Sequence, residues 1–168
     1  MELNKEDKKE DKPQQATFAA GCFWHVEETF AKVPGVIKTE VGFSGGHLID
    51  PSYEQVCRGD TGHAESLHLE YDPTKISYAA LLDIFFQSHN PTTLNRQGPD
   101  IGSQYRSVIF YHNEEQKEAA ELAKKTIGNA GQYKNPVVTE IVKAGPFFRA
   151  EEYHQRYFKK HGGGTCQL

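Results

Sequence analysis

Cys22 lies in Gly21-Cys22-Phe23-Trp24, where a short apolar run, Ala16–Ala20, meets a helix-patterned segment reaching about Lys32. A thiolate, rather than a thiol, is the nucleophile, and an ordinary cysteine with a pKa of about 8.5 is mostly protonated at neutrality. At the first turn of a helix, free backbone N–H groups and the positive dipole end would favour the anion. The same tetrapeptide fits equally a packed helix start in which Cys22 is merely small. Phe23 and Trp24, the chain's one tryptophan, either belong to the core or wall a pocket for a small apolar group such as an S-methyl.

Thr61-Gly62-His63-Ala64-Glu65 opens a stretch, His63–Tyr71, that alternates as a strand does and puts Glu65 on one face with His63 and Leu67. If that face is inward, burial raises the carboxyl pKa and Glu65 keeps a proton to give as an acid. If it is outward, Glu65 is a solvated charge. Tyr53, and Tyr105 in the run Pro99–Ser107, either supply phenol O–H donors or pack; Arg106 most simply pairs with a structural carboxylate. A nucleophilic sulfur, an acid, neutral donors and an apolar cage are what the reduction of a sulfoxide requires. Its sulfur is electrophilic, but its oxygen leaves only once protonated.

The elements that must position these groups read as alternating strands and helices, which indicates an α/β or α+β two-layer domain without fixing strand order. Strands are predicted at Ala16–Ala20, Val36–Val41, His63–Tyr71, Ser107–Tyr111 and Val137–Val142. Helices are predicted at Cys22–Lys32, at Ser77–Ser88 with Leu81, Leu82 and Phe85 inward, from Asn113 to about Ile127, and at Ala150–Lys159. Gln116 completes a partial capping box with Asn113. Gly42–Pro51 reads as a glycine-rich loop, and His89–Tyr105 as an unstructured stretch of a length that is often functional.

The chain's 168 residues suffice for one domain with a real core. A formal net charge of -4 provides no basic field for nucleic acid or an anionic membrane, and no apolar run approaches the roughly 18 residues that span a bilayer. Met1–Lys12 interleaves lysines with acids, unlike a signal or transit peptide, so a disordered charged tail and a cytoplasmic protein are expected. Cys22, Cys57 and Cys166 are too few for a disulfide scaffold and form no CxxC pair.

The strings GCFW, GFSGG, GDTGHAE, NPTTLNRQG and GSQYRS, in this order and followed by a glycine-rich tail with a cysteine, closely resemble the peptide methionine sulfoxide reductase A family from about Ala16 to Phe158. The resemblance implies a two-layer, ferredoxin-like α/β sandwich around a mixed sheet with a βαβ core. It implies a catalytic domain over residues 15–160, preceded by the charged tail 1–14 and followed by a flexible tail 161–168. Cys22 becomes the nucleophile and then a sulfenic acid, and Glu65 the proton donor to the sulfoxide oxygen. Tyr53 and Tyr105 bind that oxygen with Asp100 helping through water, and Phe23 and Trp24 hold the methyl group. Cys166 becomes the resolving thiol, and the Cys22–Cys166 disulfide is reduced by a thioredoxin-type partner or a dithiol. The implied substrates are oxidised proteins and peptides carrying the S epimer. No cofactor or metal is implied, and a monomer is expected. Cys57 receives no role.

The sequence departs from the family pattern in three places. His25 follows GCFW where many members have glycine, Asn90 replaces the aspartate of a His-Asp-Pro-Thr-Thr run, and the tail has Cys166 alone. Two other readings compete. One is Cys–His acyl transfer or hydrolysis, with Cys22 activated by His25 or His63. The other is a non-catalytic zinc module built on Cys57, His63 and His68, whose spacing matches no strong zinc pattern.

Overall fold

A computed structural model describes residues 12–162. Residues 1–11 of the expected tail 1–14 and residues 163–168 of the expected tail 161–168, Cys166 among them, lie outside the described residues, whereas Gln14 already lies in a strand and His161 in a helix. Among the described residues there are eight strands: β1 (Gln14–Ala20), β2 (Val36–Ser44), β3 (Ala64–Tyr71), β4 (Arg96–Gln97), β5 (Asp100–Ile101), β6 (Ser107–Tyr111), β7 (Glu140–Lys143) and β8 (Phe148–Arg149). The α-helices are α1 (Phe23–Ala31), α2 (Tyr53–Cys57), α3 (Tyr78–Gln87), α4 (Glu114–Asn129) and α5 (Tyr157–His161), with 3₁₀ turns at Ser103–Tyr105 and Glu152–His154.

Six strands form one mixed sheet in the order β7-β6-β1-β3-β2-β8; every neighbouring pair is antiparallel except β6 with β7. β1 is central because its sequence suits burial on both faces. Ala16, Phe18 and Ala20 point to one side and the smaller Thr17 and Ala19 to the other, and all five are buried. The ring of Phe18 packs against Phe30 of α1 at 5.4 Å, Tyr78 of α3 at 6.1 Å and Phe85 of α3 at 5.1 Å. Each such ring contributes on the order of 2 kcal/mol or more of transfer free energy. With Ala120 of α4 these residues form the main core, so the helices cover one face of the sheet. The opposite face carries a smaller cluster of Ala19, Ala64, Val108 and Phe110.

Five elements differ from the sequence expectation. The strand expected at Val137–Val142 begins only at Glu140, because the Val138 N–H is taken by the Pro91 carbonyl. The helix expected at Ala150–Lys159 is broken into the 3₁₀ turn at Glu152–His154 and α5, because Arg156 between them is left-handed at φ 52° with its N–H on Glu27. The other three also have local reasons. β2 continues through Gly42–Ser44 instead of ending at Val41, because Gly42 lets the β8 backbone approach: a Cβ there would collide with the Phe148 carbonyl oxygen. The stretch 89–105 is not unstructured; it folds into the β4–β5 hairpin, turned at Gly98 with φ 56°, and the first 3₁₀ turn. The segment after Asp50–Pro51 forms α2, started by a full capping box: the Ser52 Oγ accepts from Gln55 N at 3.2 Å, and the Gln55 Oε1 accepts from Ser52 N at 2.9 Å. At Asn113 only half of such a box forms. Asn113 accepts from Gln116 N, while Gln116 turns to His112 N and the Gln15 carbonyl.

Candidate active site

Cys22 stands where β1 turns into α1. The turn passes through Gly21 at φ 90°, where a side chain would be strained and would press on Gln97. Cys22 is the N-cap of α1 without a capping hydrogen bond to its side chain: the His25 N–H goes to the Cys22 carbonyl oxygen at 3.2 Å, while the backbone N–H groups of Trp24 and His25 lie close enough to pull the thiol pKa down. These favour the anion, as a helix start should. Yet burial first, and the nearby Glu65 carboxyl second, outweigh them and push the thiol up to about 12. The helix terminus therefore does not make a resting thiolate here. Cys22 waits protonated.

Glu65 lies on β3 opposite Phe43 of β2, and the strand's alternation turns it inward: only 1% of it is exposed. Its Oε1 accepts from the Phe23 N–H at 3.3 Å, while its buried Oε2 has no partner among the described residues. Burial raises its pKa to about 8; the Phe23 N–H opposes this and the negative Asp100 adds to it. Glu65 is thus a carboxylic acid at neutral pH with one oxygen uncommitted. That is the state a proton donor needs.

The phenols of Tyr53 and Tyr105 are raised by burial and then by Glu65, so both remain O–H donors. Tyr53 opens α2, its backbone N–H fastened to Glu151 at 3.1 Å, and its ring stacks on Phe23 at 6.2 Å. Tyr105 ends the first 3₁₀ turn, and Asp100 lies on β5; the charge of Asp100 is felt at Cys22, Glu65 and Tyr105. Phe23 is buried against Phe43 at 5.7 Å, and half-buried Trp24 stacks flat on Tyr157 at 3.8 Å. The structure thus brings Cys22, Glu65, Tyr53, Tyr105, Asp100, Phe23 and Trp24 to one place, a set of neutral donors and an aromatic wall around a thiol.

The groups of the competing readings are engaged elsewhere. His63 receives Gly46 N–H at 3.1 Å and meets the Leu48 carbonyl at 2.7 Å; His25 packs against Phe158 at 5.0 Å. His68 bonds Thr17 at 2.8 Å, so Cys57, His63 and His68 do not converge. Cys57, expected to be a bystander, is within hydrogen-bond reach of the Tyr53 phenol, one turn along α2. The sequence signal for this was the Ser52–Gln55 capping box, which makes residues 53 and 57 neighbours on a helix. His154, singled out by nothing in the sequence, accepts the Trp24 indole N–H at 2.9 Å. The lone tryptophan's need for an acceptor was the only hint.

Comparisons with known proteins point to one family. The family model described as peptide methionine sulfoxide reductase matches residues 14–168. The peptide methionine sulfoxide reductase MsrA of Methanosarcina acetivorans is 60% identical over 89% of this chain and 79% of its own length, and that of Methanoculleus marisnigri 57% identical over 92% and 94%. Mxr1 of Saccharomyces cerevisiae in reduced form superposes with a TM-score of 0.86 at 36% identity, covering 93% of this chain and 90% of that one. Mxr1 has also been solved in complex with Trx2, a structure that matches at a TM-score of 0.62 and 23% identity over 94% of this chain and 89% of that one. A match over almost the whole chain, with more than half of the residues identical in full-length relatives, places the chain in the peptide methionine sulfoxide reductase family.

Proposed function

We propose that the chain reduces methionine S-sulfoxide in proteins and peptides to methionine, with Cys22 as nucleophile and Glu65 as acid. The observation that carries this is Glu65: a buried, protonated carboxyl bonded to the N–H next to Cys22, with its second oxygen free. The sulfoxide oxygen sits between that oxygen and the Tyr53 and Tyr105 phenols, with Asp100 helping through water. The methyl group lies against Phe23 and Trp24, where apolar area and sulfur–aromatic contact favour it.

Proton transfer from Glu65 to the oxygen leaves positive charge on the substrate sulfur beside Cys22. That charge, absent from the empty site, favours the thiolate that burial otherwise suppresses. The Cys22 sulfur then bonds to the substrate sulfur, and the S–O bond breaks as the oxygen, carrying the Glu65 proton and the thiol proton, leaves as water. Water next attacks the Cys22 sulfur, the S–S bond breaks with its electron pair on methionine, and the proton released returns to Glu65. In net terms the thiol and the sulfoxide become a Cys22 sulfenic acid and methionine, the thiol proton ending on the hydroxyl. Attack by Cys166 expels water and forms a disulfide, and a thioredoxin-type dithiol returns both thiols while becoming a disulfide itself. The complex of Mxr1 with Trx2 supports that choice of reductant.

In this reading the reducing equivalents come from thioredoxin or a small dithiol and no bound cofactor takes part. The chain works as a monomer in the cytoplasm, without nucleic acid or membrane, its catalytic domain ending near residue 160. The order β6-β1-β3-β2, with α1 and α3 as the crossovers, supports a ferredoxin-like βαββαβ unit extended by β7 and β8.

A single-turnover assay tests the proposal. Reduced protein is mixed with a peptide carrying resolved S or R sulfoxide, and methionine formed and thiols lost are counted. Consumption of the S epimer alone, with two thiols lost per methionine and no reaction by Cys22→Ser, is the expected result. Turnover by Cys22→Ser, or consumption of the R epimer, overturns it.

A further inference from the structure

His154 is fully buried, and its ring is surrounded by three of the side chains assigned to the sulfoxide pocket. It lies 4.3 Å from the Tyr53 ring and 5.2 Å from the Phe23 ring, and its Nδ1 accepts the Trp24 indole N–H at 2.9 Å. An indole nitrogen can only donate, so Nδ1 carries the lone pair and the ring is the neutral tautomer protonated at Nε2. That Nε2 is buried and has no partner among the described residues.

The ring is held from behind. Gln155 bonds both the N–H and the carbonyl of Val41, and the Arg156 N–H bonds Glu27 Oε1 at 2.6 Å, fixing the backbone on the C-terminal side of His154. Trp24 is then gripped from two directions, its face by Tyr157 and its edge by His154.

We infer that His154 is a positioning residue: by accepting the Trp24 N–H and packing against Phe23 and Tyr53, it locks the methyl-holding wall and the oxygen-binding phenol into one rigid unit. This rests on the assignment of Phe23, Trp24 and Tyr53 to the sulfoxide pocket. Because the wall holds the methyl group before and during reaction alike, loosening it weakens binding more than chemistry.

The charged group that faces His154 is Glu151; the phenols of Tyr53 and Tyr153 adjoin it, and His161 reaches Trp24 only through Tyr157. Burial holds His154 below its ordinary value of 6.5, against Glu151. Acid that protonates Nδ1 would set N–H against N–H and release Trp24.

The test uses the full chain with an S-sulfoxide peptide and a small dithiol, reading KM, kcat and the emission of the single tryptophan against pH. His154→Phe keeps a ring without an acceptor and raises KM about fivefold, with kcat changed little. His154→Asn places an acceptor where Nδ1 lies and restores KM. The parent shows an acid transition in Trp24 emission that both variants lack, whatever His161 contributes. A His154→Phe protein with parental KM and emission overturns the inference. Should that variant not fold, His154→Asn decides alone: parental KM with the acid transition lost supports it, and a transition that persists overturns it. Trp24→Ala separates the underlying assignment, for parental KM in that variant removes the pocket itself rather than the role of His154.

Discussion

Replacing Glu65 by glutamine should make the protein more stable and nearly inactive at once. In the folded chain burial raises Glu65 from 4.5 to about 8, so at pH 7 it holds its proton where the unfolded chain releases it. Folding at pH 7 must therefore take up a proton, and the gap between 4.5 and 7, at about 1.4 kcal/mol per tenfold, opposes folding by about 3 kcal/mol. The opposition is absent at pH 4, where both states are protonated, and grows to about 5 kcal/mol by pH 9, past the folded value. Glutamine is neutral throughout, can accept the same Phe23 N–H and nearly matches the shape, so it escapes this cost. Urea unfolding of the reduced parent and Glu65→Gln at pH 4, 7 and 9 reads the difference directly. The variant should gain about 3 kcal/mol over the parent between pH 4 and 7. Its single-turnover rate at pH 7 should fall by about a hundredfold or more, the scale of a lost general acid. A stability difference that does not change with pH would refute the reasoning, because Glu65 would then be an ordinary carboxylate.

Three further outcomes follow from the proposed reading. The single-turnover rate of the parent should decline as pH rises through about 8, where Glu65 loses its proton; a rate that keeps rising to pH 9.5 would transfer control to the Cys22 thiol. Cys166→Ser should yield one methionine per protein and then stop with thioredoxin as reductant, so sustained thioredoxin-dependent turnover would remove Cys166 from the cycle. Ser52→Ala should cost about 1 kcal/mol in urea unfolding through loss of the α2 cap. It should also raise KM, because Tyr53 is the first residue of that helix; loss of stability with KM unchanged would show that Tyr53 is held by Glu151 and Phe23 alone.

What the sequence disclosed depended on range. Period-two alternation put Glu65 on one face with His63 and Leu67 but left open whether that face is inward, and Ser107–Tyr111 was bounded correctly because its apolar run ends at polar residues on both sides. The sequence could not show that β2 runs on through Gly42, since the reason is the β8 backbone more than a hundred residues away in the chain. The same holds for Asp100 and Tyr105, which owe their placement to a two-residue hairpin and one 3₁₀ turn, elements too short to leave a periodic pattern. Charge at Cys22 was misjudged for a related reason. The helix end that lowers its pKa is local and legible, whereas the burial and the Glu65 carboxyl that raise it arrive only with the tertiary fold. His154 is the extreme case, lying 130 residues from the tryptophan it holds.

The place of β1 has a consequence for how the molecule comes into being. The first strand of the chain occupies the middle of the sheet, with Gln14 opposite Tyr71 on one side and Thr17 opposite Phe110 on the other. During synthesis it must wait for both neighbours, and closing such long loops is slow compared with forming local helices. Until β3 and β6 dock, Cys22 has neither the burial nor the carboxyl neighbour that keep it protonated, and it titrates as an ordinary thiol. A newborn chain is therefore more open to oxidation at Cys22 than the folded protein, and refolding in air should lose competence that refolding under a reductant retains.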